Sequence, residues 1–386
     1  MRVLILSCNT GGGHNACGEA IRRAFEAAGD TCVSADALQF TSDKLSKFMS
    51  WGHTTIYRRL PKLFNFGYGY AENHPKMMQE DAAVVKLLTS GAEDLHSFLV
   101  ASCYDIVICT HVFSGLLLRK ALELYPMPIK TAFIATDYTC SPGAANCELD
   151  VYFIPDETLA EEFIAAGVPE RKLVASGMPV LSQFYTRGDK EKAKEAFGIK
   201  PNSTHLLLMC GSMGCGPMKQ LTENLSQRLE SNWEISVVCG TNDKLYRELK
   251  QKYGNYPNIH IHGFVQNMSS LMDSADLYLT KPGGLSTSEA LAKALPMVLI
   301  DVVAGCESYN LQHFTEMGGA VTAQSVEGLT AHCLGLLKDP QRRGKMEKAL
   351  LSHRYTDSAD CICRVMHDWV SRGKDDLHDG SALDYD

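Results

Sequence analysis

The sequence predicts an α/β protein made of two Rossmann-like domains, each built on a doubly wound parallel sheet. Three observations predict it. Short β-rich runs alternate with helical stretches along all 386 residues, the order in which helices serve as crossovers between parallel strands. The runs are apolar on both faces rather than alternating, which marks strands covered by helices on either side. The two halves also open alike. VLILSCNTGGGHNACGEAIRRAF and HLLLMCGSMGCGPMKQLTENL each pass from strand to Gly-rich turn to helix.

In chain order, the first half offers strands at Val3–Ser7, Thr31–Ala35, Asp105–Thr110, Lys130–Ala135, Val151–Pro155 and Lys172–Ala175. The second half offers His205–Cys210, Glu234–Cys239, Asn258–His262, Asp276–Thr280 and Met297–Asp301. Between the halves lies RGDKEKAKEAFGIKPNST, polar and charged, and the domain boundary is expected there. The expected domains are residues 1–190 and 191–372. Residues 373–386, GKDDLHDGSALDYD, read as an acidic, disordered tail.

Composition narrows the partners. The 37 Lys and Arg against 45 Asp and Glu give a charge of −8, which argues against nucleic acid as a partner over the whole surface. None of the 14 cysteines forms a C-x-x-C pair, and several sit inside apolar runs (Cys109, Cys210, Cys239). They read as reduced structural thiols rather than as a disulfide framework or a metal site. No apolar run approaches the roughly 20 residues of a spanning helix. The N-terminal run turns into a Gly loop too early for a signal peptide, so a cytoplasmic protein is expected. One segment departs from the acidic average. From Lys44 to Tyr70 there are five Lys/Arg, no acid and seven aromatics. Trp51, Tyr57, Arg58, Arg59, Lys62, Phe64 and Phe66 suit an anionic membrane surface, where rings sit among headgroups and cations meet lipid charge. A helical insertion packed on its own domain is the alternative.

Ligands of open α/β sheets bind at the carboxyl ends of the strands, and both Gly loops fall there. Gly11, Gly12 and Gly13 allow close backbone approach, and the helix that follows offers free N–H groups to an anion. Gly11, Gly13 and Ala16 also match G-x-G-x-x-A, with Asp36 at the spacing of a dinucleotide fingerprint. A nicotinamide-dependent oxidoreductase is therefore a second reading, although it leaves His14 without a role. The loop GSMGCGPMK lacks the ending of a Walker A motif. TKPGGLSTSE, Thr280 to Glu289, is more specific. Pro282 stiffens the turn, Gly283 and Gly284 open the backbone, and Ser286, Thr287 and Ser288 place hydroxyls at a helix start. Such a loop suits phosphate oxygens, and Glu289 suits a ribose diol.

SCNTGGGHNACGEAI, IATDY, SGMPV, CGSMG, TKPGGLSTSEALA and AGCESYN occur here in one order. In this the sequence resembles the monogalactosyldiacylglycerol synthase and processive diacylglycerol glucosyltransferase family, over about Arg2 to Val370. The resemblance implies a GT-B fold, two Rossmann-like domains with a cleft between them. The first domain would take a lipid acceptor at the membrane surface and the second a UDP-sugar. The reaction would be an inverting, metal-independent hexosyl transfer, with no cofactor beyond the UDP-sugar co-substrate. The partners implied are a UDP-hexose, a lipid acceptor and the inner face of the cell membrane.

Position by position, the resemblance implies His14 as a candidate base facing the cleft and Asp137 at an acidic position in the same cleft, and it leaves open which of the two is the base. Gly12 and Gly13, with Gly211, Ser212, Met213 and Gly214, would approach the donor diphosphate. Phe264 and Val265 would read the uracil through the backbone. Lys281, Gly283, Gly284, Ser286 and Thr287 would form the phosphate loop, and Glu289 would bind ribose. Cys306, Glu307 and Asn310 would lie near the donor sugar. The family often has Gln where Cys306 stands, and relatives often carry His and Trp where YTCSPGAAN follows Asp137. Those departures leave the donor sugar and the acceptor open. The chemistry fits the residues: a histidine can deprotonate an acceptor hydroxyl near neutral pH, and oriented N–H donors stabilise a leaving diphosphate. A catalytically silent UDP-sugar sensor stays open as a third reading.

Overall fold

The computed structural model describes residues 1–8, 12–42, 74, 78, 81–300 and 305–371. Gly11, the basic-aromatic segment with Trp51, Tyr57, Arg58, Arg59, Lys62, Phe64 and Phe66, and the acidic tail lie outside the described residues.

Every expected strand is present. The first unit runs β1 (Arg2–Ser7), α1 (Gly12–Ala27), β2 (Thr31–Asp36), α2 (Ala37–Thr41), α3 (Ala83–Leu88), α4 (Ala92–Ser102), β3 (Ile106–Cys109), α5 (Val112–Leu124), β4 (Lys130–Ile134), β5 (Val151–Ile154), α6 (Ala160–Ala165) and β6 (Leu173–Ala175). The second runs α7 (Lys190–Ala196), β7 (Thr204–Met209), α8 (Met218–Ser226), β8 (Trp233–Val238), α9 (Asp243–Tyr253), β9 (Ile259–His262), α10 (Met268–Ser274), β10 (Leu277–Thr280), α11 (Gly284–Lys293), β11 (Met297–Ile300), α12 (Cys306–Glu316), β12 (Ala320–Ala323), α13 (Val326–Lys338) and α14 (Pro340–Ser352). A last helix, α15, spans Ser358–Ser371. Strand β12 was not expected. Its AVTA is only partly buried and lies at the sheet edge, so it lacks the continuous apolar run of the central strands.

Each unit holds one six-stranded sheet, β2-β1-β3-β4-β5-β6 in the first and β12-β11-β10-β7-β8-β9 in the second. All pairings are parallel, including β1 with β3 and β10 with β7. The central strands are buried throughout, as the two-faced apolar pattern requires. In both sheets the strand order reverses direction. The chain goes from β1 out to β2, then returns to place β3 on the other side of β1. It likewise goes from β7 out to β9, then returns to place β10 beside β7. The gap between β1 and β3, and that between β7 and β10, are the topological switch points where such sheets bind ligands.

The units divide differently from the sequence expectation of 1–190 and 191–372. The first comprises Met1–Leu181 and the chain from Thr356 onward, and the second Ser182–Tyr355. The boundary moves earlier because residues 186–190 are fastened to the second unit. The ammonium of Lys293, almost fully buried, donates to the Thr186 carbonyl and to Asp273 at 2.8 Å. Arg187 donates to the Lys293 carbonyl, and Lys190 pairs with Asp276 at 2.6 Å. Helix α15 belongs to the first unit because its apolar face completes that core. Ile362, Val365 and Met366 are packed with Val3, Ile5, Ile21 and Phe25. His367 Nε2 lies 2.5 Å from Asp30, and Lys130 covers the Trp369 ring at 4.3 Å. Sequence adjacency placed this helix with the wrong neighbour; its apolar stripe finds the right one.

Truncating Ile362 therefore loosens the first unit. Ile362→Ala is expected to cost about 2–5 kcal/mol, the usual range for emptying a buried site, read as a lower denaturation midpoint for that unit's transition with the second unit's unchanged.

Candidate active site

At the first switch point, α1 follows β1 closely. Gly18 lies against Ile5, where an added Cβ would stand 3.0 Å from that side chain, so the body of α1 packs closely on β1. His14, in the first turn of α1, is thereby carried to the ends of β3 and β4. Its Nδ1 lies 2.9 Å from the Thr110 carbonyl, just past β3, and 2.8 Å from Thr136 Oγ1, just past β4. His111 packs edge-on against the His14 ring, with centroids 4.7 Å apart and planes at 73°. His111 is itself fixed: it caps α5, accepting the Phe113 N–H on Nδ1 at 3.0 Å. Burial holds the His14 pKa below that of free histidine, and the Thr110 carbonyl partly opposes this. The ring is therefore neutral at pH 7, the form a base needs. Gly12 and Gly13 open the same helix. Asp137 follows Thr136 and is half-buried.

At the second switch point two loops meet. The loop after β7 is drawn tight by backbone packing. A Cβ on Gly214 would fall 2.2 Å from the Cys239 carbonyl oxygen, and one on Gly240 would fall 2.1 Å from that of Ser212. Both residues also have positive φ, so glycine is required twice over. Asn242 ties the loop further, donating to the Gly214 carbonyl at 3.0 Å while capping α9. Ser212 is left exposed and Met213 half-buried. Lys281, past β10, lies over Gly211: a Cβ there would come within 2.8 Å of the lysine Cε. Its ammonium reaches Glu307 Oε1 at 2.5 Å.

The Pro282–Gly283–Gly284 turn leads into α11. Gly283 caps this helix with no side-chain hydrogen bond, so its first N–H groups are presented to the loop. Asn310 is fully buried and donates to the Pro282 carbonyl at 3.0 Å, bracing the turn from α12. Thr287 is also buried, and its hydroxyl donates to the carbonyls of Gly283 and Gly284 at 3.0 Å. That proton is used inside the helix, so an anion here meets backbone N–H groups rather than the Thr287 hydroxyl. Ser286 is buried beside it. Glu289 makes no hydrogen bond or ion pair among the described residues, and burial alone pushes its carboxyl up to about 8. Beyond β9, Phe264 is 67% exposed and Val265 half-buried. Cys306 begins α12, half-buried, next to the buried Glu307.

Each candidate residue that is described thus sits at or near a carboxyl strand end. His14 and Asp137 are in the first unit, and the residues from Gly211 to Asn310 in the second. Sequence reasoning missed Thr110, His111, Thr136 and Asn242. The usable signal was position: each lies at or just beyond the carboxyl end of a strand.

Comparison with known proteins extends this. The family model of monogalactosyldiacylglycerol (MGDG) synthase matches residues 14–180, and that of the glycosyltransferase family 28 C-terminal domain matches residues 205–361. A processive diacylglycerol beta-glucosyltransferase of Staphylococcus carnosus is 30% identical over 276 residues, covering 71% of this chain and 70% of that protein. The chain belongs to this family of glycosyltransferases. The corresponding protein of Bacillus licheniformis is 25% identical over 366 residues, 93% of either chain. The crystal structure of Acinetobacter baumannii MurG superposes with a TM-score of 0.63 at 16% identity, covering 95% of this glycosyltransferase and 99% of MurG, and agrees with the GT-B fold. The relatives favour neither an oxidoreductase nor a silent sensor. The Asp36 carboxylate, which the oxidoreductase reading placed in a dinucleotide fingerprint, accepts the Leu38 N–H as the cap of α2. Among the described residues no helix is long and apolar enough to cross a membrane.

Glu289 gives a pH test. Its folded pKa is above its unfolded one, so the folded chain binds the extra proton and stability falls as pH rises from about 4.5 toward 8. Glu289→Gln removes this loss. The variant's gain in Tm over the parent is expected to grow between pH 5 and pH 8 and then level off; a gain independent of pH would contradict the assignment.

Proposed function

We propose that this glycosyltransferase moves a hexose from a UDP-sugar to a lipid hydroxyl, with diacylglycerol as acceptor, inversion at the anomeric carbon and no metal ion. The observation that carries the proposal is the pairing of two kinds of strand-end site in one chain. One presents a neutral imidazole held by its Nδ1. The other presents a glycine-opened loop at a helix start, with Lys281 beside it paired to Glu307. The names of the relatives supply the acceptor class.

In this reading the acceptor O–H gives its proton to His14, and the oxygen attacks the anomeric carbon from the face opposite the diphosphate. The carbon–oxygen bond to the diphosphate breaks and UDP leaves. Charge grows on the leaving diphosphate, so donors aimed there stabilise the transition state more than the ground state. The Lys281 ammonium, the N–H groups at the start of α11 and the backbone of Gly211 to Gly214 take that role, which is the role a metal ion would otherwise fill. Gly12 and Gly13 let the donor approach the base. Phe264 and Val265 take the uracil, and Glu289 the ribose, whose hydroxyls favour its ionised form. Glu307 with Cys306 meets the sugar, while Asn310 holds the turn. Asp137 assists on the acceptor side. The basic-aromatic segment from Lys44 to Tyr70 brings the enzyme to the anionic inner face of the cell membrane, as a peripheral cytoplasmic protein.

The test is incubation of the purified protein with UDP-glucose, UDP-galactose or UDP-N-acetylglucosamine and a lipid extract. Glycolipid and UDP are expected in equal amounts with one of the donors. His14→Ala is expected to lower kcat by about 10²–10⁴, the span of general-base catalysis, with donor affinity little changed. An unchanged kcat would remove His14 from the reaction.

A further inference from the structure

We propose that Thr136 is a positioning residue for His14, its hydroxyl oxygen sharing the Nδ1 proton with the Thr110 carbonyl so that Nε2 is left as the basic nitrogen. The inference rests on the reading of His14 as the base.

Donor and acceptor chemistry decides the tautomer. A carbonyl oxygen can only accept, so the 2.9 Å contact with Thr110 requires a hydrogen on Nδ1. Thr136 Oγ1, at 2.8 Å from the same nitrogen, must then accept that hydrogen as well, because one N–H cannot face an incoming O–H. Two oxygens from two different strand ends therefore converge on Nδ1. Strands β3 and β4 are paired, with Cys109 opposite Phe133 in register, so the segments past their ends run side by side. The neutral ring is thus the Nδ1–H form, with its lone pair on Nε2.

The same two oxygens matter once the base has worked. An imidazolium at the start of a helix faces the positive end of the α1 dipole, and burial disfavours it further. The Thr110 carbonyl and Thr136 hydroxyl oxygens place partial negative charge against Nδ1–H and offset part of that cost. The surrounding titratable groups do not duplicate this. His111, edge-on to the ring, has its Nδ1 engaged in accepting the Phe113 N–H that caps α5. Cys8 and Cys109, which end or follow the neighbouring strands, have thiols pushed up by burial. Asp137 adjoins Thr136 in sequence, and no carboxylate is among the causes that set the His14 pKa. The backbone carbonyl cannot be changed by simple substitution, which makes Thr136 the testable half of the cradle.

The experiment compares Thr136→Val, nearly isosteric but without the oxygen, with Thr136→Ser, which keeps it. Val is expected to lower kcat about tenfold, the worth of one hydrogen bond to a charged group. It should also shift the acidic limb of the kcat pH profile to lower pH, with donor KM unchanged. Ser should restore both. In the His14→Ala background, Val should cost nothing further. The proposal is overturned if Val leaves kcat and the acidic limb in place, if Ser is as damaging as Val, or if the loss persists without His14. Thermal melts of each variant separate a folding defect from these outcomes, and the Ser variant keeps the test open if Val does not fold. Should His14→Ala itself keep the parent kcat, the base assignment fails first, and Thr136 falls with it for a different reason.

Discussion

Parallel pairing collects every carboxyl strand end of a sheet along one edge, and the reversal of strand order opens that edge at a single gap. The candidate chemistry of both units follows from this constraint. In the first unit the gap lies between β1 and β3, and the imidazole of His14 meets the carbonyl of Thr110 across it. In the second it lies between β7 and β10, and Lys281 crosses it to lie over Gly211. Neither contact is local in sequence. Residues about a hundred positions apart meet at the first gap and about seventy at the second, because the sheet order leaves them as neighbours.

The two gaps are furnished differently. The first holds a neutral ring in a fixed orientation, with oxygens on one nitrogen and an aromatic edge against its face. The second holds charge. A lysine and a glutamate are paired there beside loops so close that glycine alone fits. A second carboxyl, the half-buried Glu289, is partly desolvated with no ion-pair partner among the described residues. A desolvated acid without a counter-charge costs stability, and such costs collect at functional sites. In the proposed reaction the neutral imidazole of one unit takes the acceptor proton and the loops of the other take the anionic leaving group.

Much of this was legible in the sequence because the relevant signals are strong and local. Two-faced apolar runs marked the parallel strands. Gly-Gly-Gly-His and Lys-Pro-Gly-Gly marked the strand ends and helix starts. The edge strand β12 was illegible because a half-buried AVTA carries little hydrophobic signal. The partner of helix α15 was not legible, because position along the chain does not say which core a helix completes, and Ile362 and Met366 go to the first unit. Thr136 and Asn310 show the same limit at the site. Each is a polar residue whose function depends on what it meets, the His14 ring for one and the Pro282 carbonyl for the other. Spacing along the chain cannot supply that.

The central claim is that the Pro282–Gly283–Gly284 turn and the start of α11 receive the diphosphate of a uridine nucleotide. Amide hydrogen exchange of the intact protein with and without UDP tests it most directly. Slowed exchange is predicted for residues 283–287 and for 211–214, with 31–38 unaffected. Unchanged exchange at those two loops under saturating UDP would contradict the account.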